Sequence, residues 1–268
     1  MASAGGASAL WFGNASCEEK PHKPRPRVLI TAFHDWKDLA DNMWRCRDNP
    51  TCRLVLGAES AVPPIKREGP LVTALKRARV PAEFTFVTLP VTWGTAMGLD
   101  LTAYDVVIHL GLGVYDSYDT ILLEHGAYNM RGSGHDVLDR PAQNANDAIE
   151  TGTPRHLKLE SSMLKRYSEL RRLPSALTET PRIIVSEAPS RKENTYICNE
   201  THWRALKAVG ETGADARPKA AYFIHVPYAH PERERGWEEL AAAVATLVGR
   251  LVAIEDIAPA ASERKRFT

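Results

Sequence analysis

The sequence predicts an α/β fold: a three-layer sandwich in which helices flank a twisted, mostly parallel central sheet. Short apolar, β-branched runs of strand length alternate along the chain with longer segments whose apolar residues recur at helical spacing. The length of 268 residues, with 44% hydrophobic and 25% charged residues, is typical of a globular chain that buries a substantial core. One large domain accounts for this length best.

The individual elements follow from periodicity and from the positions of proline and glycine. Strands are predicted at 27–33, 83–89, 104–113, 120–129, 182–188 and 221–228. Helices are predicted at 71–80, 154–173, 195–210 and 237–253. The segment 131–153 is rich in Gly, Asp and Asn and has no clear period, which predicts a long loop or flap near the functional site.

The flanks of this pattern differ from its centre. We expect residues 1–26 to form a disordered N-terminal extension, 27–254 a single α/β domain, and 255–268 a flexible C-terminal tail. The chain contains no apolar run of about 18 residues, and its formal net charge is +1. We therefore expect neither a membrane nor a nucleic acid as partner, and a cytoplasmic location.

Four cysteines are too few for a disulfide framework in a chain of this size. Cys46 and Cys52 lie six positions apart, close enough to pair if the protein were exported. No export signal precedes them, so we interpret them as two reduced thiols.

Cys198 lies near the start of the helix predicted at 195–210. The unpaired N–H groups and the dipole at a helix N-terminus stabilise a thiolate, which is the nucleophilic form of cysteine. The same N–H groups are suited to hold an oxyanion. The alternative is that Cys198 is a small buried hydrophobic residue, which is the commonest role of a lone cysteine.

His225 and Glu124 are polar residues inside apolar strand patterns. Each, taken alone, is explained by hydrogen bonds within the core. Taken together, a buried glutamate pairs naturally with an imidazole whose other nitrogen faces a thiol. That is the arrangement of nucleophile, base and orienting group used in covalent catalysis, and it predicts a Cys198–His225–Glu124 triad.

The surroundings of these three residues resemble those of pyroglutamyl peptidase I, the pyrrolidone-carboxylate peptidases, from about Arg27 to about Ala253. The matching motifs, in chain order, are RVLITAF at 27–33, Asn-Pro-Thr at 49–51, Leu-Pro-Val at 89–91, DVVIHLG at 105–111, Glu-x-x-Ala-x-Asn at 124–129, Tyr-x-Cys-Asn at 196–199 and Phe-Ile-His-Val-Pro at 223–227. Each motif alone is weak, but seven in the same order are specific. The resemblance also implies the phosphorylase/hydrolase-like version of the three-layer fold.

The resemblance implies a function as well as a fold. It assigns Cys198 as nucleophile, His225 as base and Glu124 as the residue that orients it, with no metal or organic cofactor. The implied substrates are peptides whose N-terminus is blocked by pyroglutamate, and assembly into a homo-oligomer is left open. Phe33 and Trp36 correspond to the aromatic pair that stacks on the lactam ring.

Further substrate-binding residues follow from the same resemblance. Asn49 belongs to the Asn-Pro-Thr motif. The arginine that follows the glutamate strand in the family has two counterparts here. Arg140 fits by its neighbours and Arg131 fits by its distance from Glu124, and we favour Arg140.

Several departures from the family pattern fall near the predicted substrate pocket. Trp36 replaces a phenylalanine, residues 37–48 include an insertion, and Glu193 places a carboxylate near the thiol, with Arg191 or Lys192 as its compensating charge. A peptidase or amidase with an altered acyl preference is therefore one alternative. A non-catalytic binding protein is another, although it would not require the whole triad. A nucleoside phosphorylase is a third, but Gly111 and Gly113 alone do not make a phosphate loop.

Overall fold

The computed structural model describes residues 24–38, 42–57, 68–114, 116–159, 184–188, 194–211 and 217–257. Its central feature in these residues is a six-stranded sheet. The strands are, in spatial order, β4 (Glu83–Leu89), β1 (Arg27–Phe33), β5 (Val106–Val114), β10 (Ala220–Pro227), β6 (Thr120–Glu124) and β9 (Ile184–Ala188). Four of the five neighbouring pairs are parallel, and only β10 and β6 are antiparallel.

Four α-helices accompany the sheet in the described residues: α1 (Pro50–Leu56), α2 (Pro70–Ala78), α3 (Ile197–Glu211) and α4 (Gly236–Ile257). Their apolar residues join those of β1, β5 and β10 in the main hydrophobic core. Burial of such apolar surface is the main favourable contribution to folding. The predicted α/β fold with a mostly parallel sheet flanked by helices is confirmed. None of these helices is long and apolar enough to cross a membrane.

The strand predicted at 120–129 is interrupted at His125. After β6, the chain continues as β7 (Gly126–Tyr128), which pairs with β8 (His156–Lys158) in a separate two-stranded sheet. A Cβ atom at Gly126 would lie 2.2 Å from the carbonyl oxygen of Leu157, so only glycine fits this crossing.

The helix predicted at 154–173 is wrong at its beginning, because β8 occupies that position. Pairing with β7, and a stack of the Tyr128 and His156 rings at 4.2 Å, outweigh the helical pattern there. The remainder of that prediction, from 160, lies outside the described residues, as do residues 1–23 of the predicted extension and 258–268 of the predicted tail.

The insertion at 37–48 contributes a short hairpin, β2 (Trp36–Lys37) and β3 (Met43–Trp44). The interpretation of Cys46 and Cys52 as reduced thiols is wrong, because the two form a disulfide with their Cα atoms 5.1 Å apart. The cause is local: α1 begins directly after Asn49 and brings Cys52 back to Cys46. Such bonds are typical of oxidising compartments, and the cytoplasmic location stays a prediction.

The segment 131–153 contains no helix and only one isolated β-bridge, which agrees with the predicted loop. The end of this segment is held by Asn129, whose side-chain amide donates to Glu150 O and Thr153 Oγ1, both at 2.8 Å. The loop is therefore anchored at its far end to the residue that follows β7.

Candidate active site

Cys198 is the second residue of α3, where the backbone N–H groups have no partner within the helix. It is half-buried, and among the cysteines that the structure describes it alone is outside a disulfide. The adjacent Asn199 holds the helix start against β7, since its amide donates to Tyr128 O at 2.8 Å and to Met130 O at 3.0 Å. Its oxygen accepts from Tyr128 N at 2.8 Å. The helix N-terminus that carries the thiol is thus fixed to the two-stranded sheet of β7 and β8.

His225 and Glu124 come from the neighbouring strands β10 and β6. These strands pair antiparallel, with Ile224 opposite Leu123. The His225 Nδ1 atom lies 2.8 Å from Glu124 Oε1, and their side chains are only 7% and 13% exposed. His225 also forms a hydrogen bond with Cys198. The structure therefore brings the three residues of the predicted triad together in the predicted order of contact.

The environment of His225 favours its charged form. Burial lowers the pKa of His225, but hydrogen bonds to Cys198 and Glu124 and electrostatic interaction with them outweigh it and raise the pKa to about 9. Imidazolium is therefore the favoured state at neutral pH. An imidazolium that faces a thiol stabilises the thiolate, which is the arrangement a cysteine nucleophile needs.

Two other histidines lie near the triad and were missed by the sequence analysis. His109 binds Thr31 Oγ1 at 2.7 Å, and burial lowers its pKa to about 3. Burial, together with His109 and His225, also lowers the pKa of His202, which lines the same cavity as Cys198. Both are neutral at pH 7, so His225 is the one of these three histidines that carries a positive charge. For His109 the sequence signal was the same as for His225, a histidine in an apolar run. His202 lies in the polar stretch CNETHWR, so its immediate neighbours gave no such signal.

Gly111 and Gly113 of β5 make room for the rings of Phe223 and His225. A Cβ at Gly113 would lie 2.5 Å from the Cγ and Cδ2 atoms of His225, and a Cβ at Gly111 would lie 2.6 Å from the Phe223 ring. Side chains never approach that closely. The Gly-x-Gly pattern therefore allows β10 to lie close against β5. From the sequence alone, this pattern was only a weak signal for a phosphate-binding loop.

An apolar, largely aromatic cluster adjoins the thiol. Phe33, from the carboxyl end of β1, lies 6.4 Å from Phe223 between ring centroids. Residues packed in or against this cluster include Trp36, Trp93, Val137, Tyr196, Ile197 and Cys198. The structure thus places both members of the predicted aromatic pair, Phe33 and Trp36, in the cluster that contains the nucleophile candidate.

Asn49 binds backbone carbonyl groups at the edge of this cluster. Its amide nitrogen donates to Phe33 O at 3.2 Å and His34 O at 2.6 Å, while its oxygen caps α1 by accepting from Thr51 N. The residue is buried. Its side chain therefore fixes the direction in which the chain leaves β1, and direct contact with substrate stays a prediction.

The two arginine candidates have different partners. Arg131 donates to Glu200 Oε1 at 2.8 Å, on the thiol-bearing helix, whereas Arg140 turns back onto Asp136 Oδ2 at 2.7 Å within its own loop. Burial raises the pKa of Glu200, but Arg131 and Arg204 outweigh it, so the net shift is downward. Neither arginine has a hydrogen bond to the triad among the described residues. Glu193 and its neighbours Arg191 and Lys192 lie outside them.

The fold and site together define an α/β protein with a half-buried cysteine beside a charged His–Glu pair. No family model matches the sequence, and no curated protein sequence matches it significantly. Solved structures do match. Pyroglutamyl peptidase I from Bacillus amyloliquefaciens is 15% identical with a TM-score of 0.57, covering 86% of this chain and 98% of that one.

Two further solved structures match with similar TM-scores. Pyrrolidone carboxyl peptidase from Thermococcus litoralis is 18% identical with a TM-score of 0.56, covering 88% of this chain and 97% of that one. The enzyme from Fervidobacterium islandicum is 20% identical with a TM-score of 0.55, covering 87% and 99%. The chain therefore has the fold of the pyroglutamyl peptidases, over almost the whole length of those proteins.

Proposed function

We propose that this protein is a cysteine peptidase that removes N-terminal pyroglutamyl residues from peptides. The observation that carries the proposal is the continuous contact from Cys198 to His225 to Glu124, at the N-terminus of a helix. The shared fold with pyroglutamyl peptidases supports the choice of reaction class. Fold alone does not determine function, so the site carries the argument.

The proposed reaction begins with the Cys198 thiolate and the His225 imidazolium. The thiolate attacks the carbonyl carbon of the pyroglutamyl residue, and free N–H groups of the first turn of α3 stabilise the oxyanion. His225 then donates its proton to the leaving amine, which leaves an acyl-enzyme. A water molecule, deprotonated by neutral His225, attacks the acyl group and releases pyroglutamate. Glu124 holds the ring in the correct orientation throughout, and the proposal includes no metal or organic cofactor.

The proposed acyl pocket is the aromatic cluster beside the thiol. The partly exposed Trp36 and the adjoining Phe33 are proposed to offer apolar surface to a flat lactam ring, which contains no charged group. The fully buried Phe223 packs near Phe33. N-terminally blocked peptides are therefore the proposed partners, without nucleic acid or membrane. A homo-oligomer stays a prediction.

Turnover of a fluorogenic pyroglutamyl amide tests this proposal. We expect hydrolysis by the wild-type chain, its loss after treatment with iodoacetamide, and a fall of at least about 10⁴-fold in Cys198→Ala. Cys198→Ser is the matched control, because it preserves size and hydrogen bonding but not thiolate chemistry. Hydrolysis that survives in Cys198→Ala would refute the assigned nucleophile. A chain that neither turns over nor reacts with iodoacetamide would instead support a non-catalytic binding protein.

A second candidate is the same chemistry with another acyl group. The observation that favours it is the hairpin β2–β3, which carries Trp36 into the cluster and is tied to the loop 131–153 by Lys37 Nζ and Asp139 Oδ1 at 2.8 Å. A panel of acyl amides that differ in ring size distinguishes the two. Labelling of Cys198 without turnover of the pyroglutamyl amide would favour the second candidate.

A further inference from the structure

A second group of ligand-type side chains lies at the base of the insertion hairpin. A ring nitrogen of His34 and the sulfurs of Cys46 and Cys52 all lie within 4.8 Å of one another. In the structure the two sulfurs are joined as a disulfide. Two cysteines and a histidine are a ligand set typical of zinc, which prefers thiolate and imidazole donors in tetrahedral geometry.

Asp35 provides the outer contacts that such a site requires. Its Oδ1 atom lies 3.0 Å from His34 Nδ1 and accepts a hydrogen bond from Cys46 N at 2.8 Å. Because Nδ1 faces this carboxylate, we take Nε2 as the ligand atom of His34. A carboxylate that orients a histidine in this way is the usual outer contact of a protein metal ligand.

We propose that reduction of the Cys46–Cys52 disulfide converts this cluster into a Zn²⁺ site, with His34, Cys46 and Cys52 as ligands. The three protein ligands leave one tetrahedral position for water. Both cysteines are buried, whereas the His34 side chain is 42% exposed, so the ion enters from the His34 side. The proposal does not depend on the peptidase activity.

The chemistry of the conversion requires a reductant. A phosphine attacks one sulfur, the S–S bond breaks, and water supplies two protons and the oxygen of the phosphine oxide, giving two thiols. Binding of Zn²⁺ then forms two S–Zn bonds and releases the two thiol protons. The disulfide and the metal site exclude each other. A sulfur that is bonded in the disulfide is not a thiolate, and the thiolate is the form that binds Zn²⁺.

The position of the cluster connects it to the acyl pocket. His34 lies between Phe33 and Trp36, and Cys46 follows β3 of the hairpin that carries Trp36. Asn49 binds the carbonyl of His34 directly. The cluster is therefore connected to the segments that carry Phe33 and Trp36, while Cys198, His225 and Glu124 belong to other elements.

Metal titration of the full-length, untagged chain tests the proposal. Cys17→Ser/Cys198→Ala is the background, because it removes the other two thiols and the metal-binding capacity of the triad. Folded state is followed by circular dichroism before and after treatment with a phosphine. Co²⁺ reports thiolate binding by its charge-transfer absorption, and Zn²⁺ displaces it in competition with a chromophoric chelator.

The expected result is one metal ion per reduced, folded chain and none per oxidised chain. His34→Ala should weaken binding by at least about tenfold, and Asp35→Asn by about tenfold, while the control His230→Ala has no effect. Three results overturn the proposal: no metal on the reduced chain, equal affinity in His34→Ala, or unfolding upon reduction. The last counts because an unfolded chain does not hold the three ligands together.

Discussion

Two regions at the same edge of the sheet differ in how they are built. The triad is carried by regular elements: Glu124 ends β6, His225 lies in the fully buried strand β10, and Cys198 starts α3. The proposed pocket wall, which contains Trp36 and Val137, is carried by the hairpin β2–β3 and the loop 131–153. Those segments are joined to each other by an ion pair in which Asp139 is 69% exposed.

From this difference we infer that the triad region determines whether the reaction occurs, whereas the wall determines which acyl group is accepted. A buried hydrogen-bonded pair such as His225–Glu124 is costly to alter, because either partner alone would be left unsatisfied in the core. The exposed contacts of the wall each contribute little and tolerate replacement. We therefore expect variants of the triad region to lose activity steeply and variants of the wall to lose it modestly.

After loss of the nucleophile itself, the largest effect should follow from Glu124→Gln. The charge that helps to raise the pKa of His225 to about 9 is lost, so kcat/KM for a pyroglutamyl amide should fall about 10³-fold. In the wild type, activity should decline as pH rises through about 9, because His225 loses the proton that it must donate. In the variant, that decline should begin about one to two pH units lower.

The pH–rate profile distinguishes this role from simple structural support. Equal unfolding midpoints in urea for wild type and Glu124→Gln would show that the fold is intact. If the alkaline limb stays in place while activity falls, Glu124 does not set the charge of His225.

A smaller loss is expected from Gly113→Ala. The added methyl group would lie 2.5 Å from the His225 ring and must displace it, which should lower kcat about 10²-fold without loss of the fold. Gly98→Ala is the matched control, because a Cβ there meets no atom within 4 Å. Steady-state kinetics of both variants check this. Equal activity of the two would mean that His225 is not confined by β5.

Asn49→Ala tests the base of the wall. Its side chain caps α1 and binds two carbonyl groups at the end of β1, so the variant should lose about 2 kcal/mol of unfolding free energy. Urea denaturation measures it, with the exposed Asn42→Ala as control. If Asn49→Ala instead raises KM with unchanged stability, Asn49 contacts substrate directly.

The smallest effect belongs to the ion pair across the wall. In a double-mutant cycle of Lys37→Ala and Asp139→Ala, the coupling free energy for unfolding should be below about 1 kcal/mol. Chemical denaturation of the four chains gives this value. A coupling above about 2 kcal/mol would show that this surface contact is as strong as a buried one, so the wall would not differ from the triad region in stability.

The elements that carry the proposed triad were predictable because their signals are local. Apolar runs identify β1, β5 and β10, and polar residues inside such runs, His225 and Glu124, stand out because burial requires a partner. The break at His125 was not predictable from the run 120–129, since it depends on β8, a strand 30 residues later. The helix predicted from 154 failed for the same reason.

The wall was predicted poorly because its contacts join residues that no pattern connects. The sequence allowed both states of Cys46 and Cys52, and only the return of α1 brings the two together. Arg140 was favoured by its neighbours, yet it is Arg131 that reaches α3 through Glu200. Charged side chains at the surface choose partners in three dimensions, so neighbouring residues say little about them.

Covalent labelling with a pyroglutamyl chloromethyl ketone tests the central claim most directly, because it requires both the nucleophile and the lactam pocket. The expected result by intact-mass and peptide mass spectrometry is one adduct per chain, on Cys198, formed faster than with an acetyl-alanyl chloromethyl ketone. Absence of an adduct on Cys198, or preference for the acetyl-alanyl reagent, would contradict the proposed peptidase.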